Sequence, residues 1–424
     1  MMKSNIQWIG EYPNSWKLDR LSWHMTEINE KNNPIKTTKI LSLTNKLGVV
    51  PYEEKGNQGN VAKENHDEYK LAYPNTIVAN SMNILIGSVG KCDYFGCVSP
   101  VYYVFKPNKN ENIDFLNYIF QTEQFQKELR CYANGILEIR LRLSSNDIIK
   151  REIPYPPLPI QNKIVAVLND KTSKIDALIE NENKQIEKLK EYRQAIITKA
   201  VTKGLNPNVP MKDSGIEWIG EIPNNVNVSS VKKFYDITLG KMLQPEQESE
   251  NDTMEYYFCA ANLGNNCLKT DDLKQMWFSA KEKGKYSLKI GDLLVVEGGD
   301  VASSSIIGTD VSNIYFQNSI HRVRPIHGLN EYLHYYLIFV KGSGYFDVNC
   351  NKATIMHFTK DKFSNLPFLI RNIEEQKKIV IFLNKEETKI NRLISIKEKK
   401  IEFLKNHKKS LIYEYVTGKK RVSL

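Results

Sequence analysis

The sequence predicts a mixed α+β fold in which two α/β regions of variable sequence are separated by two long helices. The helices are expected to pair with each other as a coiled coil, and the duplicated layout gives the chain an internal pseudo-twofold repeat. Three observations support this fold: one motif occurs twice, two stretches carry apolar residues at coiled-coil spacing, and strand-like runs lie between them. A chain of 424 residues is long enough for two or three domains.

The repeat divides the chain into four parts. The segment Ile6-Gln-Trp-Ile-Gly-Glu-Tyr-Pro-Asn14 returns as Ile216-Glu-Trp-Ile-Gly-Glu-Ile-Pro-Asn224, with seven of nine positions identical. A second match joins the segment beginning at Gln161 to the one beginning at Gln376, and its register continues to the end of both segments. We therefore predict variable regions at residues 1–153 and 207–366, and helical segments at 154–206 and 367–424.

The two variable regions share an outline but little sequence. Each has a strand-rich middle, Thr76–Ala79 in the first region and Asp292–Val296 in the second. An amphipathic helical stretch follows in each, Asp114–Arg130 and Glu331–Val340. A duplicated frame with two divergent inserts is what we expect of a protein whose two variable regions recognise two different targets.

The helical segments carry the features of a coiled coil. No Pro or Gly interrupts residues 160–203 or 373–417. One polar residue interrupts each apolar seam, Glu182 in the first and Lys397 in the second. In an antiparallel pair these two side chains fall near each other and help to fix the register; the alternative is that both extend into solvent. The predicted seam comprises Leu168, Ile175, Leu178, Glu182, Leu189 and Ile196 in the first helix, and Leu383, Ile390, Leu393, Lys397, Leu404 and Leu411 in the second.

Composition narrows the classes of function. The net charge of +10 (59 Lys and Arg against 49 acids) suits a polyanionic partner, because phosphate contacts by basic side chains release counterions. No apolar run reaches the roughly 20 residues that span a bilayer, and the N-terminus lacks a secretory signal, so we expect a cytoplasmic protein without membrane contact. The six cysteines do not have zinc-site spacing, and no metal site is predicted.

The sequence also lacks the motifs of the enzyme classes considered. It has no phosphate-binding loop of the Walker type, no Asn- or Asp-Pro-Pro-aromatic motif of base amino-methyltransferases, and no Gly-x-Ser-x-Gly frame. Its seven histidines do not form a helical metal-binding pair. We therefore predict a chain that is not itself an enzyme.

The layout resembles the specificity subunits of type I restriction–modification enzymes. The resemblance rests on the repeated Trp-Ile-Gly-Glu-x-Pro motif, the two inserts and the two helices, and it covers essentially the whole chain. Within the first insert, three segments are similar to one class of target-recognition domain: Ala79-Asn-Ser-Met-Asn83, Gly87-Ser-Val-Gly90 and Gly96-Cys-Val-Ser-Pro100.

The resemblance implies that each insert is a target-recognition domain for one half of a split sequence in double-stranded DNA. It also implies that the two long helices form an antiparallel coiled coil that spaces the two domains. It further implies two modification (methyltransferase) subunits that carry S-adenosylmethionine, and restriction (motor and nuclease) subunits that use ATP and Mg²⁺. No cofactor is expected on this chain. The target adenine would then be flipped into the partner's pocket.

Base recognition needs polar side chains on loops that reach the grooves of DNA. The acids Glu297 and Asp300 depart from a simple basic loop, and they either accept a hydrogen bond from a cytosine amino group or cap a turn. For each candidate the alternative is a turn-forming or structural role. The predicted DNA contacts are Asn80, Asn83, Ser88, Lys91 and Tyr94 in the first region, and Ser303, Ser304, Gln317, Asn318 and Arg322 in the second.

Three other functions are compatible with parts of this pattern. The main alternative is an orphan sequence-specific DNA-binding protein without enzyme partners. A fragment of a fused restriction–methylation enzyme is disfavoured by the absent catalytic motifs. A purely structural scaffold would not need variable regions of this size.

Overall fold

The computed structural model describes residues 1–44, 48–56, 62, 66–108, 111–134, 141–264, 267–346 and 357–422. The chain divides into two compact units. Unit 1 combines Met1–Glu182 with Glu398–Leu424, and unit 2 consists of Asn183–Lys397. Each unit therefore contains one variable region and one half of each long helix. No helix in the described ranges has both the length and the apolar character needed to cross a membrane.

The elements of unit 1 are β1 Met2–Lys3, β2 Glu11–Tyr12, β3 Lys17–Arg20, β4 Met25–Ile28, β5 Leu41–Thr44, β6 Gly48–Pro51, β7 Lys70–Ala72, β8 Thr76–Asn80, β9 Val89–Cys92, β10 Gly96–Val98, β11 Tyr102–Pro107, α1 Ile113–Phe120, α2 Glu123–Arg130, α3 Ser145–Ile149 and β12 Glu152–Tyr155. Unit 1 also contains the first half of the long helix α4, which spans Leu158–Lys203. Four of the strands form an antiparallel sheet in the order β4-β11-β8-β9.

The central strand β8 is buried along its whole length, and its three middle residues are apolar. Ile77 and Ala79 face a core shared with α1 and α2, while Val78 faces a second core shared with β5 and β6. Because successive side chains of a strand point to opposite faces, a strand covered on both sides buries every residue. The strand predicted at this position is confirmed.

The elements of unit 2 are β13 Met211–Asp213, β14 Glu221–Pro223, β15 Asn227–Ser230, β16 Tyr235–Leu239, β17 Thr253–Phe258, β18 Leu263–Gly264, β19 Cys267–Leu268, β20 Lys274–Phe278, α5 Ala280–Lys285, β21 Leu293–Val296, β22 Ser304–Ile306, β23 Ile314–Phe316, β24 Ile320–Pro325, α6 Asn330–Gly342, α7 Lys360–Asn365 and β25 Pro367–Ile370. Unit 2 also contains the first half of the long helix α8, which spans Ile373–Val416. Its main sheet has the order β16-β24-β21-β22, and a second sheet, β20-β17-β23, packs on its other face.

The main sheet of unit 2 repeats the strand order of the main sheet of unit 1. Its central strand β21 divides its side chains between two cores in the same way: Leu293 and Val295 face the core that contains α6, and Leu294 and Val296 face the second sheet. The mixed α+β fold and its internal repeat, expected from the sequence, are confirmed in the order of these elements.

The two predicted long helices are present as α4 and α8. Within unit 1, Lys408 Nζ donates to Asp176 Oδ2 at 2.7 Å and Lys400 Nζ donates to Glu182 Oε1 at 2.6 Å. The later residue of one helix pairs with the earlier residue of the other, so the halves run antiparallel. Unit 2 has the same sense, since Arg193 pairs with Asn391 and Gln185 with Lys397.

The helix seam departs from the prediction at two positions. Leu178 and Leu393 were expected in it, but each side chain is 46% exposed. In a coiled coil the buried positions alternate in steps of four and three residues, so Ile179 rather than Leu178 follows Ile175 toward the partner helix. Leu189 and Ile196 are half-buried, and the remaining apolar seam residues are buried: Leu168, Ile175, Leu383, Ile390, Leu404 and Leu411.

The polar step in each seam is satisfied within its own unit. Glu182 is 4% exposed and accepts the bond from Lys400, and Lys397 donates to Gln185. The predicted pair of Glu182 with Lys397 joins residues of different units and stays a prediction.

One glutamine anchors each variable region to its long helix. Gln161 Oε1 accepts from the backbone N–H of Asn112, the residue before α1, at 3.3 Å. In unit 2, Gln376 Oε1 accepts from the backbone N–H of Leu329, the residue before α6, at 3.0 Å. Tyrosine hydroxyls repeat a second anchor, with Tyr118 donating to Asn169 at 2.6 Å and Tyr335 to Asn384 at 2.7 Å.

In unit 1 the turn that leads into the main sheet is held by contacts of His24. In unit 1, His24 Nδ1 lies 2.8 Å from Glu111 Oε1 and its Nε2 lies 3.3 Å from Asp19 Oδ2. The imidazole stacks on Tyr155 with 3.7 Å between ring centroids. Asp19, Glu111 and Tyr155 therefore all contact the His24 ring.

Candidate nucleic-acid interface

The turn between β8 and β9 is the predicted reading loop of unit 1, and a third segment of the chain holds it. The backbone N–H of Leu143 donates to Ser81 O at 3.1 Å, at the end of β8. The Tyr103 hydroxyl donates to Leu143 O at 3.0 Å. The loop, the neighbouring strand β11 and the segment before α3 are therefore joined at one point.

Unit 2 makes the same junction after β21. The backbone N–H of Phe358 donates to Glu297 O at 2.6 Å, and His321 Nε2 lies 2.8 Å from Phe358 O. Glu297 stands where unit 1 has Ser81, and His321 stands where unit 1 has Tyr103. The backbone frame is kept while the side chains at the turn differ.

The predicted contacts of unit 1 fall into exposed and buried groups. Asn83 is exposed in the turn, and Tyr94 is half-buried, with Lys39 Nζ 4.7 Å from its ring centroid. Asn80 and Ser88 are buried, and Asn80 Oδ1 accepts from the Met82 backbone N–H at 3.0 Å. Both buried residues shape the turn.

Lys91 is held by two carboxylates. Its Nζ lies 3.0 Å from Asp114 Oδ1 and 3.5 Å from Asp93 Oδ1, and its side chain is 24% exposed. Burial works to lower the pKa of Lys91, but the bond to Asp114 and the charge of Asp93 outweigh it and raise the pKa. Lys91 is therefore a cation whose charge is already partly neutralised.

The buried candidates of unit 2 bond within the unit. Ser303 donates to Asp300 at 2.5 Å, and Ser304 Oγ lies 2.9 Å from His334 Nδ1. Arg322 is 6% exposed, and its Nη1 donates to the Ser287 carbonyl at 2.8 Å. In this structure these three side chains support the loops rather than extend from them.

Two unit 2 candidates lie at the surface of a tight turn between β23 and β24. Gln317 and Asn318 are half-buried, and Gln317 Oε1 accepts from the Ser319 hydroxyl at 2.9 Å. The Glu297 backbone N–H donates to Ser319 O at 2.9 Å, which places this turn beside the loop after β21. The structure thus brings Gln317, Asn318 and Glu297 together.

Sequence reasoning missed three side chains at these turns. Ile86 is 65% exposed at the tip of the unit 1 turn. Arg142 precedes Leu143 and is exposed, and His357, which precedes Phe358, stands at the equivalent place in unit 2. These segments share no sequence motif, so only the backbone junction relates them. In the described ranges, His, Cys, Asp and Glu do not assemble in groups of three or more suited to a metal ion.

A family model described as "Type I restriction modification DNA specificity domain" matches residues 23–189 and 223–417. The chain belongs to this family. As a type I specificity subunit it is a DNA-recognition subunit, not a catalytic one. The two matched stretches correspond to the two copies of the repeat.

Two specificity subunits of Methanocaldococcus jannaschii are similar to the chain. The type I restriction enzyme MjaVIII specificity subunit is 29% identical over 340 residues, which cover 74% of this chain and 72% of the relative. The putative type I restriction enzyme MjaX specificity subunit is 26% identical over 334 residues, which cover 75% of this chain and 70% of the relative.

Two solved structures share the fold. A chain from a structural study of complex assembly and conformational transition of the type I R-M system has a TM-score of 0.72 at 14% identity, covering 96% of this chain and 98% of that one. The HsdS subunit from Thermoanaerobacter tengcongensis has a TM-score of 0.54 at 15% identity, covering 99% of this chain and 100% of that one. At these identities the likeness concerns the fold alone.

Proposed function

We propose that this specificity subunit recognises a bipartite DNA target, with one half-site read by each variable region. The target-recognition domains are residues 1–153 and 207–366, and the segments 154–206 and 367–424 act as the spacer helices. The observation that carries the proposal is the repeated turn at the end of the central strand. The same backbone bonds hold it in both units, whereas Ser81 in one corresponds to Glu297 in the other.

The exposed and half-buried candidates supply the contacts with DNA in this proposal. Base edges in the major groove are read by amide, hydroxyl and basic side chains, and phosphates by cations. The net charge of +10 favours approach to the duplex. Asn80, Ser88, Ser303, Ser304 and Arg322 act through the shape of the turns, and the direct contacts come from Asn83, Lys91, Tyr94, Gln317 and Asn318.

The proposal includes the partners that perform the chemistry in the cytoplasm. Two methyltransferase subunits with S-adenosylmethionine bind this chain and methylate adenine. Restriction subunits with ATP and Mg²⁺ join them, and this chain holds no cofactor of its own. The repeated anchors of Gln161 and Gln376 support two equivalent positions for one kind of partner, because they fix each recognition domain to its helix in the same way.

A genome-wide map of N6-methyladenine tests the proposal, with the gene intact, deleted and restored. We expect deletion to abolish methylation at one split motif, two short blocks around a fixed unspecified spacer, and restoration to recover it. An unchanged map contradicts the proposal and favours an orphan DNA-binding protein. Salt-sensitive duplex binding by the purified chain would then identify that alternative.

A further inference from the structure

The loop after β21 contains two carboxylates whose surroundings differ. Asp300 accepts from the Lys341 ammonium group and from the Ser303 hydroxyl. Partial burial works to raise the pKa of Asp300, but these two donors outweigh it and lower the pKa. Asp300 therefore acts as the cap of this loop, and its charge is compensated by Lys341.

The two carboxylate oxygens of Glu297 have different contacts among the described residues. Its Oε2 lies 3.1 Å from His357 Nδ1, and its side chain is 18% exposed. Among the residues that the structure describes, none bonds to Glu297 Oε1. The backbone is fixed on both sides, because its N–H donates to Ser319 O and its carbonyl accepts from Phe358 N–H. The backbone of Glu297 is thus fixed beside the turn that carries Gln317 and Asn318.

On a face that approaches phosphates, a carboxylate oxygen without a hydrogen-bond donor is destabilised unless it meets a donor on the DNA. In the major groove the donors on base edges are the N4 amino group of cytosine and the N6 amino group of adenine. Adenine also presents the acceptor N7 beside its amino group, and N7 repels the second lone pairs of a carboxylate. Cytosine presents only a C–H group there, so it fits an acceptor better.

We infer that Glu297 reads a cytosine in the half-site bound by unit 2, by accepting a hydrogen bond from the cytosine N4 amino group. His357 is the positioning residue in this inference: with its proton on Nδ1 it donates to Oε2, 3.1 Å away, and Oε1 is left for the base. The inference rests on the proposed function and applies to one half-site alone. Unit 1 has Ser81 and Arg142 at the equivalent places.

The test is selection of targets from a randomised duplex library by the full chain co-purified with its methyltransferase subunits. We expect the wild type to select a split motif with a cytosine at one position of one half-site. Glu297→Gln replaces one acceptor oxygen by a donor, and it should lower the preference for that cytosine about tenfold. His357→Ala should give a smaller loss at the same position. The matched control is Glu331→Gln, which makes the same charge change in α6. The neighbouring Asn330 donates to the Gly291 carbonyl, which precedes β21, whereas the Glu297 loop follows β21.

A modified duplex tests the atom involved. Replacing the selected cytosine by 2-pyrimidinone removes the amino group, and it should weaken binding by the wild type about tenfold while leaving Glu297→Gln unaffected. A Glu297→Gln motif identical to the wild-type motif, or a change confined to an A·T pair, overturns the inference and leaves the proposed function intact. A wild-type complex that selects no split motif overturns both.

Discussion

In unit 1 the chain enters its main sheet through a histidine held between two carboxylates, whereas unit 2 makes the same turn through an aromatic pair. Phe234 follows the short helix Val231–Lys233 just as His24 follows Leu21–Trp23. Its ring packs on Phe368 of β25 with 5.5 Å between centroids. The same backbone turn is thus held by polar contacts in unit 1 and by apolar packing in unit 2.

Unit 2 places its buried polar groups elsewhere. Arg371 is fully buried beside the C-terminal end of α4, and its Nη2 donates to Thr202 O at 2.8 Å. His334 and His321 are buried inside the variable region. The comparison shows that the two units share their backbone bonds and glutamine anchors. The buried polar side chains that support these shared features differ from one unit to the other.

Arg371→Ala should have the largest effect. It leaves the last carbonyls of α4 without their donor and removes the partner of Glu375, so we expect a loss of about 3 kcal/mol in the stability of unit 2. Hydrogen exchange of peptides from each unit measures it, with faster exchange in unit 2 alone. The control Lys389→Ala, whose exposed ammonium group pairs with Glu386 of the same helix, should leave exchange unchanged. Equal protection in Arg371→Ala and the wild type would contradict the capping role.

His24→Phe places the residue of unit 2 in unit 1. Asp19 and Glu111, which are 14% and 8% exposed, then lose the group between them, and we expect about 2 kcal/mol lower stability in unit 1. Hydrogen exchange should rise in unit 1 and stay constant in unit 2. The reciprocal Phe234→His should destabilise unit 2, because His would lie against Phe368 without a carboxylate. A stable His24→Phe variant would mean that apolar packing serves both turns equally well.

Acid should weaken unit 2. Burial lowers the pKa of His334 to about 4 from an ordinary value of 6.5, and burial also lowers the pKa of His321. Between these values the unfolded chain binds a proton that the folded unit does not, so the free energy of unfolding falls as the pH drops. The loss from His334 reaches about 2 kcal/mol at pH 5.

Urea unfolding of the full chain between pH 7 and pH 5, followed by exchange in unit 2, tests this dependence. His334→Asn, which introduces the residue that unit 1 has at Asn117, should flatten the pH profile. A profile of wild-type slope in that variant would assign the acid sensitivity to other groups.

Glu182→Lys should have the smallest effect of the four. It sets two cations together where Glu182 now accepts from Lys400. Because Lys400 is 53% exposed and water screens the repulsion, we expect unit 1 to lose about 1 kcal/mol. Lys400→Glu in the same chain should restore stability. Exposed Glu191→Lys is the matched control. An unchanged melting curve for Glu182→Lys would remove the proposed role of this seam position in register.

The sequence was sufficient for the long-range plan. The repeated motif and the uninterrupted apolar spacing predicted α4 and α8, because a helix of this length needs only periodicity and the absence of Pro and Gly. The same spacing was misleading at Leu178 and Leu393. A difference of one residue along a helix rotates a side chain by about 100°, and only the packed partner decides which neighbour faces inward.

The sequence alone therefore determined the duplicated frame and the family, and it predicted where the reading loops lie. The tertiary structure decided which polar residues of those loops are available. Arg322 and Ser304 have the composition of DNA contacts, yet they are buried against Ser287 and His334. Glu297 and Asp300 are chemically alike in sequence, but only Asp300 has a lysine folded against it. Availability depends on contacts between distant segments, which local composition does not encode.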